Sequence, residues 1–564
     1  MDFAVCFGLA VLGAYVSDKV RAQGGAQNAP NTDGFNVQSA WIFFIAQYAI
    51  FKYYRIFLYP VYFSPLRHLP GPSDGHFLFG QGLKLLKAKT PTALYIKWMR
   101  ENPDAPFIRY LSFFNTEVLV ANSLTVHKEI LHNQCYSLSK SQWFLRIVKE
   151  VAGHGLILME GDEHKAHRRM LNAPFSLKNI RKLEPVFKAT SRDICRFLNR
   201  NIAENGRRTT TFDCTDIFMK GVLDIMGSAI LGVDLKYLKS ENGDHDSSHV
   251  ARPLPKPQNT SLDGKCSFVE AYDVFFSPGP MGKVLLLANG YVPTRWLPLR
   301  ANREFLFAMD WLNDVLKTLI RTRYSDVLAT MSAGNYESDD TRDVLTWIVE
   351  ESVPGGSAEG IREEEFLGHL LEFMAAGHDT STNMLSWACY ILATKHATQE
   401  RLREEVSLLP TEPSYAELDK LPYLDNFVKE AMRLYPPATT YHREANCDLN
   451  IEGIHIRKGT PIDLCPSVTL LNPVIWGANV DVVDPTRWDR LEGHQQSPYA
   501  FNAFSNGPRI CIGRAFAIFE IKIILVEVVR NFRLIDVVKP FKVENPGFTL
   551  RPNGLEIRVE RVDG

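Results

Sequence analysis

A chain of 564 residues with 45% hydrophobic and 23% charged residues has ordinary globular usage, which gives no reason to expect extensive disorder. Its 63 basic and 64 acidic residues leave a net charge of -1, so no global field points to nucleic acid or an acidic polymer. Nine cysteines stand singly with no CxxC pair, which argues against a disulfide framework and leaves most of them, Cys195, Cys214 and Cys389 for instance, as small buried hydrophobes.

Two apolar stretches open the chain, residues 3–16 and 40–58. A helix crossing a bilayer needs about 20 apolar residues, a length the second stretch approaches if Lys52 and Arg55 snorkel. Residues 1–69 therefore read as a membrane anchor region of one or two spans, and 70–564 as the main folded domain. A buried core helix over 40–63 is the alternative. Asp2 stands where a secretory signal would carry positive charge. Lys52, Arg55 and Arg67, set against Lys19 and Arg21, bias the remainder toward the cytosol. Pro70-Gly71-Pro72 then makes a rigid turn.

Beyond the turn the pattern predicts a helix-rich domain with small peripheral sheets. Alternation over 106–122 suggests a hairpin around Asn115, and 162–171, 193–202 and 213–231 look helical. Residues 234–265 are polar and loop-like, and contain the formal glycosylation triplet Asn259-Thr260-Ser261, expected to be unmodified. Long helices are predicted at 303–325 and 362–392, a shorter one at 421–434 and another from Arg514 to Arg530, with strand-like pieces at 449–456 and 548–559.

Chemistry concentrates near the C-terminus, at Phe504-Ser505-Asn506-Gly507-Pro508-Arg509-Ile510-Cys511-Ile512-Gly513. Gly507 and Pro508 allow a tight turn that aims amides at the Cys511 sulfur, the next helix begins beside it, and Gly513 clears space for a flat cofactor. Arg509 is placed to meet an acidic group of that cofactor. Glu430 and Arg433 share a helix face at i,i+3, a spacing that by itself more often marks a solvated surface pair. Ala375-Ala376-Gly377-His378-Asp379-Thr380 lies inside the long central helix. Gly377 is expected to loosen that helix and free the Thr380 hydroxyl from the carbonyl behind it. Asp379 would then complete a proton relay, an ordinary polar helix face being the bland reading. No HExxH, CxxC or GxGxxG offers a second metal or dinucleotide site, and His442 and His455 lack partners at metal spacing.

The cysteine segment resembles the FxxGxRxCxG signature of the cytochrome P450 family at every fixed position, including Phe504, Gly507, Arg509 and Gly513. Ala376-Gly377-His378-Asp379-Thr380 is similar to that family's AGxDT, Glu430 and Arg433 to its ExxR, and Arg487 to the arginine of its PERF-type segment. The resemblance, from about Pro70 onward, implies a mainly α fold with small β-sheets and a haem b held by the Cys511 thiolate. It implies Asp379 and Thr380 as proton deliverers, and Glu430, Arg433 and Arg487 as a buried lock on the cysteine loop. It further implies haem propionates held by Arg509, Arg443, His164 and Arg168, with His164 standing in the place of the family's tryptophan; surface charge is the alternative for the last two.

The implied activity is oxygen insertion into a lipophilic small molecule, as in fungal secondary metabolism, at the endoplasmic reticulum membrane. Electrons are expected from a separate NADPH-cytochrome P450 reductase, with cytochrome b5 as a second donor. Segments 137–156, 267–299, 438–441 and the region of Phe548 are expected to line the pocket, with Phe275, Phe276 and Trp296 among the apolar side chains. A reductase-independent isomerase, dehydratase or lyase is the competing enzyme reading, and a non-enzymatic membrane haem protein the other.

Overall fold

The computed structural model describes residues 7, 8, 13, 15 and 37–562, except 205–207, 239–251, 260–265, 277, 333–341 and 357–358. Most of the stretch 3–16, and Thr260-Ser261 of the glycosylation triplet, lie outside the described residues. Helix α1 (Val37–Tyr53) is 17 residues long and passes into a wider-turned segment through Phe63 that carries Pro60. Among the described residues no helix is long and apolar enough to cross a membrane.

The rest is a helical body with sheets at its margin. Chain order gives α2 (Ala93–Glu101), β1 (Phe107–Leu111), β2 (Glu117–Ala121), β3 (Leu138–Lys140), α3 (Gln142–Ala152), α4 (Gly161–Leu171), α5 (Glu184–Glu204), β4 (Thr209–Asp213) and α6 (Cys214–Met226). Then come α7 (Arg300–Ser332), α8 (Glu363–Thr394), α9 (Pro422–Leu434), β5 (Tyr441–Ala445), β6 (Pro461–Leu464), α10 (Arg514–Asn531), β7 (Phe532–Val537) and β8 (Glu556–Arg561).

The predicted hairpin is present, β1 pairing antiparallel with β2. Its turn puts Phe114 and Asn115 at positive φ, 54° and 50°. Asparagine tolerates that conformation, and Asn115 Nδ2 donates to the carbonyls of Ile56 and Phe77 at 3.0 and 2.8 Å, tying the turn to the N-terminal segment. The hairpin does not stand alone. It is the edge of a five-stranded sheet in the order β1-β2-β6-β5-β3, whose other strands arrive from later in the chain.

Helix α8 is the axis of the body, buried along almost all of Phe366–Met374 and Ser381–Ala393. A helix apolar on every face has to be surrounded, and α6 and α10 help supply that cover in one continuous core. Gly377 does not break the helix: α8 runs on to Thr394. A Cβ there would lie 2.5 Å from Met226 Cε, so the methionine side chain of α6 occupies the place a side chain would take.

Candidate functional site

Cys511 sits between the short turn Gly507–Arg509 and the first turn of α10. Gly507 has φ +70°, and a Cβ on it would fall 2.0 Å from the Leu131 carbonyl oxygen, so only glycine fits. The Cys511 amide donates to Phe504 O at 2.9 Å, and Arg168 Nη1 donates to Ile510 O at 2.7 Å. Cys511 is an exposed residue although the surrounding protein desolvates its thiol, so it borders interior space. Burial pushes its thiol up, and the Gly513 amide, Arg168 and Arg514 pull it back. A Cβ on Gly513 would meet the Cys511 sulfur at 3.9 Å and no other atom, which leaves room for a flat group on the sulfur.

Beside the cysteine loop, cations crowd together. Arg509 donates to Met159 O at 3.0 Å, pairs with Glu160, and lies over the Tyr136 ring at 5.4 Å. Lys140 Nζ, on a side chain only 4% exposed, reaches the same Glu160 at 2.8 Å. Arg443 is opposite Lys140 in the β5–β3 register. His164 is buried with Nδ1 3.1 Å from the Tyr136 hydroxyl. Burial and the neighbouring Arg509, Lys140, Arg168 and Arg443 push His164 down to about 3, so its ring is neutral. Burial, then Arg443 and Arg509, lower Lys140 to about 8. Glu160 is the acid that both Lys140 and Arg509 share, and the surrounding cations remain in excess. Such a cluster fits a dianionic group such as the two propionates of a haem, and a neutral cofactor would leave it self-repelling. Sequence reading missed Lys140: a lysine in the three-residue strand Leu-Ser-Lys carries no signature.

On the other side of this space, α8 presents its polar turn. The Thr380 hydroxyl donates to the Ala376 carbonyl at 2.7 Å, so the expectation that it escapes the backbone is corrected. With the helix continuous, that carbonyl is the nearest acceptor. Asp379 is held on both oxygens, by Arg551 Nη2 and by the Thr549 hydroxyl, each at 2.5 Å. Burial alone would raise its carboxyl, but Arg551 leads the groups that hold it below the usual range. Arg551 carried no motif and was also missed.

Glu430, Arg433 and Arg487 come together. Arg433 grips Glu430 with two bonds of 2.9 and 2.8 Å, both side chains fully buried, and Arg487 Nε lies 3.5 Å from Glu430 Oε1. The Trp488 indole and the Asp484 amide also donate to Glu430, each at 3.1 Å. Trp488 packs edge-on to Phe501 at 5.0 Å, which links the cluster to the segment leading into the cysteine loop.

Among the segments expected to line the pocket, Phe144 and Phe548 meet at 5.9 Å. Phe276 packs on His378 at 4.5 Å, while Phe275 turns into the core against Phe305. Trp296 is 76% exposed and lines no interior space. Among the described residues no group of three His, Cys, Asp or Glu side chains could hold a metal ion.

A family model for cytochrome P450 matches residues 70–559. Similar curated proteins include the cytochrome P450 monooxygenase sphH of Aspergillus fumigatus, 28% identical over 85% of each chain. The monooxygenase FUM15 of Gibberella moniliformis is 29% identical over 84% of each, and monooxygenase 205 of Postia placenta 28% over 85% of this chain and 88% of its own.

Proposed function

Since the chain belongs to the cytochrome P450 family, we propose that the Cys511 thiolate would hold the haem and that a lipophilic small molecule is oxygenated between it and α8. The protein is a cytochrome P450 monooxygenase, and its cofactor is a haem with a thiolate ligand. The observation that carries the assignment to Cys511 is its placement, exposed beside Gly513, whose missing side chain leaves room at the sulfur, and next to an excess of buried cations.

The haem, when bound, supplies dioxygen activation, and thiolate ligation favours O–O cleavage over reversible oxygen binding. The chain's own residues do the rest. Arg168, Arg443, Arg509 and Lys140 supply positive charge for the propionates, with His164 beside them as a neutral donor. Glu430, Arg433 and Arg487 keep the loop that holds the sulfur in place. Asp379 and Thr380 are the proton carriers, and the contacts of Asp379 with Arg551 and Thr549 favour its carboxylate over its protonated form.

Electrons come from a separate NADPH-dependent reductase, with cytochrome b5 as a second donor, and the chain works on the endoplasmic reticulum membrane facing the cytosol. Exposed apolar side chains support membrane association: Trp41, Ile42, Ile45 and Ile50 on α1, and Tyr291, Val292 and Trp296 on the body. Flotation of the full chain with phosphatidylcholine vesicles tests this. The ligand assignment is tested by the reduced carbon monoxide spectrum of the wild type and Cys511→Ala. The thiolate-type Soret band should vanish in the variant, and its survival would exclude Cys511.

A further inference from the structure

His164 stands on α4 four residues before Arg168, so it shares the helix face from which Arg168 donates to the Ile510 carbonyl beside Cys511. The ring is buried, with Nδ1 3.1 Å from the Tyr136 hydroxyl. No described residue hydrogen-bonds Nε2, and that atom is not among those sealed in protein without a partner, so it borders open space. Burial, then Arg509, Lys140, Arg168 and Arg443, keep the ring neutral by lowering it to about 3. A neutral imidazole carries one proton, and the bond made at one nitrogen decides where that proton sits.

Tyr136 makes that choice. Burial, then Cys135, raise its hydroxyl above the usual phenol range, so it stays protonated. A phenol donates better than it accepts, because its oxygen lone pair is shared with the ring, whereas a bare imidazole nitrogen is a good acceptor. Nearby cations sharpen the asymmetry. Lys165 Nζ lies 4.6 Å and Arg509 Cζ 5.4 Å from the centre of the tyrosine ring, where positive charge favours the negative charge that builds on a donating oxygen. The hydroxyl therefore donates to Nδ1, and the His164 proton goes to Nε2, the nitrogen that borders open space. The opposite tautomer would set a lone pair against any anion drawn in by the cations around it.

We propose that Tyr136 is a positioning residue for the cofactor: its hydroxyl fixes the His164 tautomer so that Nε2–H is offered to a haem propionate. This rests on the reading of the cation cluster as the propionate site. The tryptophan that His164 replaces has a single ring nitrogen and is always a donor. A histidine in that place needs a second residue to assign its proton, and Tyr136 supplies it from the segment ahead of β3.

The test is transfer of haem from the holoenzyme to apomyoglobin, with the ferric/ferrous potential measured on the same samples. Tyr136→Phe keeps the ring beside its two cations and removes only the hydroxyl. Transfer should quicken about fivefold, the scale of one neutral hydrogen bond. The potential should move negative, because a propionate that loses a donor presents more of its charge to the iron. A contact that only braced α4 would leave the potential unmoved. His164→Trp brings its own donor, so adding Tyr136→Phe to it should change neither readout. His164→Phe has no nitrogen to orient and should likewise make Tyr136→Phe silent, which keeps the test in force where tryptophan does not fit. Retention of the thiolate band in each variant shows that the fold survives. An unmoved transfer rate or potential in Tyr136→Phe, or an effect that persists in either His164 background, overturns the proposal alone. If His164→Phe itself leaves both readouts at their wild-type values, the propionate reading of His164 falls and takes the proposal with it.

Discussion

Arg551 places its Nη2 2.5 Å from the Asp379 carboxylate across a separation of 172 residues, so the acid expected to carry protons is held as an ion pair. Arg551→Gln removes the leading cation that lowers Asp379. A carboxyl with a depressed pKa stays ionised down to low pH; without Arg551 it takes up its proton at higher pH. The acidic limb of the turnover profile should move to higher pH by about one unit or more. An unmoved limb would show that Asp379 does not govern that step.

Breaking the buried Glu430–Arg433 pair leaves an uncompensated charge in the core. Arg433→Ala should cost roughly 3–5 kcal/mol and yield protein that retains little haem. Denaturant unfolding of whatever material folds, together with haem content per chain, measures this.

Gly507→Ala asks a methyl to occupy space 2.0 Å from the Leu131 carbonyl at φ +70°. Backbone on both sides cannot give way cheaply, so the cysteine loop should shift. The reduced carbon monoxide spectrum should lose the thiolate band in favour of a shorter-wavelength one. A native band in this variant would mean that the loop tolerates the clash.

Lys140→Met keeps the buried stem and deletes one cation near Arg443 and Arg509. If the cluster holds the haem propionates, transfer of haem to apomyoglobin should speed up by about tenfold, the scale of one charge-assisted hydrogen bond. An unchanged rate would place Lys140 in the service of Glu160 alone.

Acid and alkaline stability should pull in opposite directions. His127 and His378 are lowered to about 4, and His164 and His369 to about 3, mainly by burial. Unfolding lets each take up a proton below about 6.5, so their contribution is intact above that pH and is lost as pH falls toward 3–4. Glu372 and Glu520 are raised by burial to about 8. Their folded-state protons are released on unfolding, so their contribution is intact below about 4.5 and is lost as pH rises toward 8. With four histidines set against two glutamates, the melting temperature should peak near pH 6.5, about where the histidine contribution is complete. Glu520→Gln should flatten the decline on the alkaline side, and a melting temperature that rises steadily through pH 8 would contradict the assignment.

What the sequence disclosed follows from range. The cysteine loop, the Glu430–Arg433 pair and the α8 turn are local, so spacing exposes them. Lys140 meets Arg443, Arg551 meets Asp379, and Tyr95 meets Asp463 across 368 residues, because strands and loops from distant parts of the chain converge. No window of sequence contains both partners. The Thr380 hydroxyl and the role of Gly377 escaped for another reason. Helical spacing shows which face a residue occupies, not which acceptor its hydroxyl selects or which neighbour fills the place of a missing Cβ.

The cation cluster beside the cysteine loop joins the five-stranded sheet, through Lys140 and Arg443, to the helical body, through Arg168. In a chain that has not yet received its prosthetic group these charges push the two parts from each other. A dianionic group bound there, as proposed for the haem propionates, would offset that repulsion and draw the sheet and the helical body together.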